Sequence, residues 1–166
     1  MPIASTKLRC NHAYVDATNL DKGTSKSAWR VDYHKFYIWL KEKHHIKRAY
    51  IFIGYIPRYD NLYARMREAG FLVRFKDTVN DKDGHVKGNC DADLVLRSVR
   101  DVHESVFEKA IIVSSDGDFG SLVSFLQEKE KMDRVISPNK DCSILIMRTG
   151  VPVTYLNDIR EFISLS

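Results

Sequence analysis

Two rhythms of apolar and polar positions run through this chain. Short apolar runs of strand length occupy 10–16, 49–55, 71–76, 109–114, 134–137 and 152–156. A run such as Ala110-Ile-Ile-Val113, with no polar break, reads as a strand buried on both faces, the kind found inside a parallel sheet. Between these runs the apolar residues recur at helical spacing. Tyr33, Phe36, Tyr37 and Leu40 fall on one stripe; so do Leu62, Met66 and Ala69, then Leu94, Val95, Val99 and Val102, then Phe119, Leu122, Val123 and Leu126. Asp32 stands as an N-cap before the first stripe and Gly70 as the residue that ends the second. A short helix is expected over 142–148, closing at Thr149-Gly150, and a last one from Asn157-Asp158. The stretch 21–27 reads as a polar loop, and 77–89 as a second irregular stretch in which Asp83-Gly84 signals a small hairpin. Strands alternating with helices predict the α/β class, a three-layer α/β/α sandwich around a mostly parallel sheet.

Composition narrows the setting. With 166 residues, 44% hydrophobic and 29% charged, the chain has the length and balance of one globular domain spanning 1–166. No apolar run approaches the roughly 20 residues needed to cross a bilayer. Residues 1–9 lack the apolar core of a signal peptide, and Cys10, Cys90 and Cys142 stand alone without C-x-x-C spacing. Both features predict a cytoplasmic protein in a reducing compartment, with no membrane partner. The net charge is a mild +4. Its distribution says more, because acids gather at the predicted strand ends while basic residues are spread widely. An acidic centre in a basic surround is what a phosphodiester substrate requires.

Three acidic clusters lie far apart in sequence. The apolar run from Ala13 ends in Asp16 and continues Ala17-Thr-Asn19; Asp91 and Asp93 open a helical stripe just after Lys87-Gly-Asn89; and the run from Ala110 ends in Ser114-Ser-Asp-Gly-Asp118. Open α/β sheets bind ligands at the carboxyl ends of their strands, so these positions are expected to meet in one site. Clustered carboxylates repel unless a cation neutralises them, and hard oxygen ligands suit Mg²⁺ or Mn²⁺. Capping offers a plainer role for Asp91, Asp93 and Asp118, each next to a helix start, whereas Asp16 precedes no evident helix. Gly117 is expected to allow the tight turn between Asp116 and Asp118. Ser114 and Ser115 lack a nucleophile-elbow pattern and read as turn residues. His44 and His45 sit among Lys41, Lys43, Lys47 and Arg48, which reads as a solvated basic face, and the stripe Trp29, Tyr33, Phe36 and Tyr37 reads as core. Lys87, Arg58, Arg65 and Lys82 are candidate phosphate contacts.

Taken together, Tyr14-Val-Asp-Ala-Thr-Asn-Leu20, Val86-Lys-Gly-Asn-Cys-Asp-Ala-Asp-Leu-Val-Leu96 and Val113-Ser-Ser-Asp-Gly-Asp-Phe119 resemble the NYN domain family of PIN-like, metal-dependent ribonucleases. The resemblance extends to the tail Thr154–Phe162. It implies an α/β/α sandwich, a metal held by Asp16, Asp91, Asp116 and Asp118, and Asn19 orienting a carboxylate or water. It further implies hydrolysis of single-stranded or structured RNA using Mg²⁺ or Mn²⁺; whether the protein is a monomer or a homodimer stays open. Arg97 departs from the pattern, since many relatives carry another Asp there; this keeps open a second reading, a binding module for RNA or protein that retains the acidic pocket without turnover. A Toprim-type site would begin with a glutamate, where this chain has Asp16.

Overall fold

The computed structural model describes residues 9–76, 79–80, 82–84, 86–87 and 90–166. Six strands form one wholly parallel sheet in the order β3-β2-β1-β6-β7-β8. They are β1 (Asn11–Asp16), β2 (Ile46–Gly54), β3 (Leu72–Lys76), β6 (Ala110–Val113), β7 (Met132–Ser137) and β8 (Val153–Tyr155). The two-residue strands β4 (Val79–Asn80) and β5 (Val86–Lys87) pair antiparallel, forming the small hairpin that Asp83-Gly84 signals. β1 and β6 are buried along their whole length; β6 is apolar throughout, whereas β1 buries Asn11, His12 and Asp16 along with its apolar centre.

Among the described residues the α-helices are α1 (Ala17–Lys26), α2 (Tyr33–His44), α3 (Asp60–Ala69), α4 (Asp91–His103), α5 (Gly120–Glu128), α6 (Ile144–Met147) and α7 (Arg160–Ile163). Alternate strand residues feed two cores. Ala13, Val15, Ala49, Ile51 and Val113 pack with Leu20 of α1, Phe36 and Leu40 of α2, Met66 of α3 and Ile163 of α7. Tyr14, Tyr50, Phe52 and Ile112 pack with Leu94 of α4, Leu122 and Leu126 of α5 and Ile146 of α6. The result is the expected three-layer sandwich. Trp29 and Phe36 are buried, and Tyr33 and Tyr37 pack against them, as the stripe implies.

The expected loop at 21–27 is instead the second half of α1. Its sequence hides an inward face made of small residues: Ala17, Leu20, Gly23 and Thr24 are buried, and a Cβ on Gly23 would collide with the Pro138 ring. Periodicity in large apolar residues cannot reveal such a helix. The basic face expected at His44-His45 also divides. His45 is exposed and takes the left-handed conformation that ends α2 (φ 54°). His44 is buried edge-on to Trp39, with ring centres 4.8 Å apart, and burial together with nearby Arg134 pushes its pKa down to about 4.

Candidate metal centre

β1 sits at the point where strand order reverses, between β2 and β6, and the acidic residues collect at its carboxyl end. Asp16 is the last residue of β1. Asp116 follows β6, Asp118 lies in the short 3-10 turn Gly117–Phe119, and Asp91 is the first residue of α4. One carboxylate oxygen from each of Asp91, Asp116 and Asp118 lies within 4.8 Å of the others. Asp91 and Asp116 are half-buried and Asp118 is exposed, so the group is open to solvent on one side.

Asp16 stands behind this trio. Its Oδ1 accepts the Asn19 amide at 3.2 Å, which makes it the N-cap of α1. Its Oδ2 accepts the Ser114 hydroxyl at 3.3 Å. That hydroxyl in turn accepts the Asp116 amide at 3.1 Å, so one serine spans the two strand ends. Burial pushes the Asp16 carboxyl up to about 6 against the pull of the Asn19 amide, and the charges on Asp91 and Asp116 raise it further. Cys90, just ahead of α4, feels the same surroundings: burial first, then Asp93 and Asp16, push its thiol up to about 11.

The capping roles are the reverse of those the sequence suggests. Asp16, with no evident helix after it, is a cap. The N-cap of α4 is Cys90, without a side-chain bond, so neither Asp91 nor Asp93 caps that helix. Asp116, not Asp118, caps the following turn, accepting the Asp118 amide at 2.9 Å. Asp93 is exposed and stands outside the trio. Gly117 serves through space rather than backbone freedom: its φ is not positive, but a Cβ there would collide with the Ser143 side chain. Asn19 turns its side-chain oxygen toward Ser115, accepting the amide at 2.9 Å and the hydroxyl at 3.1 Å, and so ties α1 to the loop after β6.

The four basic candidates are dispersed. Lys87 lies in β5, but its side chain falls outside the described residues, as do Gly88 and Asn89. Lys82 is exposed near the hairpin turn. Arg58 lies over the Tyr59 ring at 4.9 Å, and Arg65 is exposed on α3. Arg97 is engaged with Asp101 and Tyr50. Its guanidinium lies 3.8 Å from Asp101 and 5.5 Å from the centre of the Tyr50 ring.

Asp101 marks a polar cluster that the sequence does not announce. It is buried beneath α4, accepting the Tyr14 hydroxyl at 2.8 Å, with His12 Nδ1 at 3.6 Å. Its one legible trace is an acid on the inward stripe of a helix.

The NYN domain family model matches residues 13–148, which takes in β1 through α6 and every carboxylate of the site. The chain belongs to the NYN domain family. This NYN domain also superposes on the crystal structure of a protein of unknown function from Vibrio parahaemolyticus, with a TM-score of 0.78 and 21% identity, covering 97% of this chain and 99% of that one. The likeness establishes the fold. No curated protein matches the chain. NYN domains share a PIN-like, nuclease-related fold, and this chain carries a cluster of acidic residues, Asp91, Asp116 and Asp118. Among the described residues no helix is long and apolar enough to cross a membrane.

Proposed function

We propose that this NYN domain is a Mg²⁺- or Mn²⁺-dependent ribonuclease that hydrolyses phosphodiester bonds in RNA. The observation that carries the reading is the approach of the Asp91, Asp116 and Asp118 carboxylates to within 4.8 Å of one another, with the raised carboxyl of Asp16 behind them. Three hard anionic oxygen donors on an open edge fit a small divalent cation, which keeps some of its water and takes only a few carboxylates. Asp91, Asp116 and Asp118 would hold the ion, and Asp16 would join them directly or through water. When bound, it supplies Lewis-acid stabilisation of the phosphoryl group and a water acidic enough to attack near neutral pH.

The chain's own residues set the conditions for that chemistry. Ser114 and the Asn19 amide hold Asp16 in place, and the Asn19 side chain pins the loop that presents Asp116. Asp118, the exposed member, is the one best placed to meet an incoming phosphodiester through a shared cation. Lys87, Lys82, Arg58 and Arg65 are proposed to contact phosphates around the site. The reading of an inactive binding module draws its support from Arg97, yet that side chain is engaged with Asp101 and Tyr50 rather than with the carboxylates.

The test is cleavage of end-labelled single-stranded RNA by the pure protein with Mg²⁺, with Mn²⁺ and with excess chelator. Cleavage is expected with either ion and none with chelator, and Asp116→Asn should abolish it. Equal cleavage by wild type and Asp116→Asn would refute the assignment.

A further inference from the structure

A cavity of about 900 Å³ lies beside α1, the start of α2, the carboxyl end of β2 and α3. That volume falls within the roughly 300–1,000 Å³ of small-molecule sites. Ala17 and Thr18, which directly follow Asp16, form part of its wall, and Ile53 and Gly54 form another part. Asp16 pairs in register with Phe52, so the cavity and the carboxylates share one edge of the sheet.

Its lining is aromatic and polar in a particular way. Tyr63 has its hydroxyl committed, accepting the Ile56 amide at 3.0 Å and donating to the Gly54 carbonyl at 3.2 Å. Tyr33 has no hydrogen bond to its hydroxyl among the described residues. Burial raises its pKa, the charge of Asp21 adds to the rise and Arg65 opposes it; both of those residues line the same cavity. Tyr59 is 41% exposed, and the Arg58 guanidinium backs its ring at 4.9 Å. Lys22, Arg30 and Arg65 on the wall are matched by Asp21, Asp32 and Glu68.

With its charges balanced, the cavity suits a neutral, flat group carrying both donors and acceptors. We propose that the cavity receives a nucleobase of the RNA strand, held by stacking on Tyr59 and by a hydrogen bond from its edge to the Tyr33 hydroxyl; this rests on the ribonuclease reading above. A tyrosine hydroxyl both donates and accepts, as base edges require, and unstacked bases are commonly received on aromatic rings and guanidinium planes. The backbone phosphate of the same strand then lies toward the carboxylates across Ala17 and Thr18.

Equilibrium binding of the four nucleoside 5′-monophosphates, with ribose 5-phosphate as the baseless control, tests this by calorimetry in chelator. Without metal the measurement is independent of cleavage. At least one nucleotide should bind about fivefold or more tighter than ribose 5-phosphate, the lower end of what stacking one base contributes. Tyr33→Phe should weaken it about three- to tenfold, the worth of one hydrogen bond, with the ring and the fold retained. Thr18→Trp, which fills the cavity from its exposed wall, should remove the preference for nucleotide over control. Equal binding of ribose 5-phosphate and all four nucleotides overturns the proposal, as does nucleotide binding indifferent to both substitutions. Nucleotide binding by a protein that cleaves no RNA would overturn the ribonuclease reading and support the pocket; cleavage without nucleotide binding would do the opposite.

Discussion

α4 carries a carboxylate near each end, and β1 contributes to the surroundings of both. Near the carboxyl end of the helix, Asp101 meets the Tyr14 hydroxyl at 2.8 Å, His12 at 3.6 Å and Arg97 at 3.8 Å. At the amino end, Asp91 meets Asp116 and Asp118, with Asp16 behind. The helix dipole favours an acid at the second position and opposes one at the first, and the fold surrounds Asp101 with donors. A buried carboxylate that serves packing is provided with partners from its own chain. At the other end three carboxylates face one another, the arrangement that the proposed cation would answer. The contrast lies in what surrounds each acid, not in the acids themselves.

The same substitution in the two environments should therefore act in opposite directions, and this is the largest expected effect. Asp116→Asn should lower RNA cleavage by more than the roughly 10–100-fold typical of changes one layer out from a metal. It should also raise the melting temperature of the metal-free protein, because it relieves repulsion. Asp101→Asn should leave the cleavage chemistry alone and cost about 1–3 kcal/mol of stability, the penalty for leaving buried polar groups mispaired. For a chain of this length that lowers the thermal midpoint by about 2–4 °C per kcal/mol. Thermal melts in chelator, beside a cleavage assay, check all four outcomes; a destabilised Asp116→Asn beside an unaffected Asp101→Asn would break the comparison.

Acidity gives a second handle. The Asp16 carboxyl is raised to about 6 in the folded protein, against about 3.9 for an unfolded aspartate. The folded state thus binds more protons between these values, and Asp16 costs stability progressively as pH rises through that window, on the order of 3 kcal/mol by its top. His44 acts in the other direction. Its pKa is lowered to about 4, so the unfolded state binds more protons and stability grows as pH rises from there toward 6.5. Burial lowers His12 in the same sense as His44. The Asp16 contribution is exposed by difference: Asp16→Asn should become increasingly more stable than wild type between pH 4 and 6 in chelator. Saturating Mg²⁺ should shrink that difference, and a gap that stays constant across the range would remove Asp16 from the cluster.

The smallest effect concerns Arg97. Arg97→Ala should cost less than about 1 kcal/mol, since an i,i+4 pair is worth about 0.3–0.5 and only part of the stem covers Tyr50. Cleavage should be unchanged. A loss of cleavage with the fold intact, read by circular dichroism beside the assay, would return Arg97 to the site.

The sheet was legible because Ala13-Tyr-Val15 in β1 and all of β6 are apolar on both faces, and such runs have few other uses. The carboxylates were legible because each closes a strand or opens a helix. α1 was not, since Ala17, Gly23 and Thr24 bury a face too small to register as periodic. Missing α1 had a second consequence, because Asp16 then seemed to have no helix to cap, and its double duty as cap and cluster member was hidden. Asp101 went unread and His44 was misread as a solvated residue for a different reason. Their partners, Tyr14 and Trp39, are apolar in any pattern count, and it takes the packing of α4 on β1, or the end of α2, to turn them into a hydroxyl and a ring edge facing a polar group.

The position of β1 between β2 and β6 also bears on when the acidic group comes into being during synthesis. Val15 pairs with Val113, so about a hundred residues must leave the ribosome between one half of the cluster and the other. At roughly 5–20 residues per second that interval lasts on the order of ten seconds. Throughout it the emerging chain holds Asp16 and then Asp91, but not the loop that brings Asp116 and Asp118. A polypeptide released early, or still attached to the message that encodes it, lacks the cluster. Any hydrolytic capacity is withheld until the second half of the sheet has docked on the first.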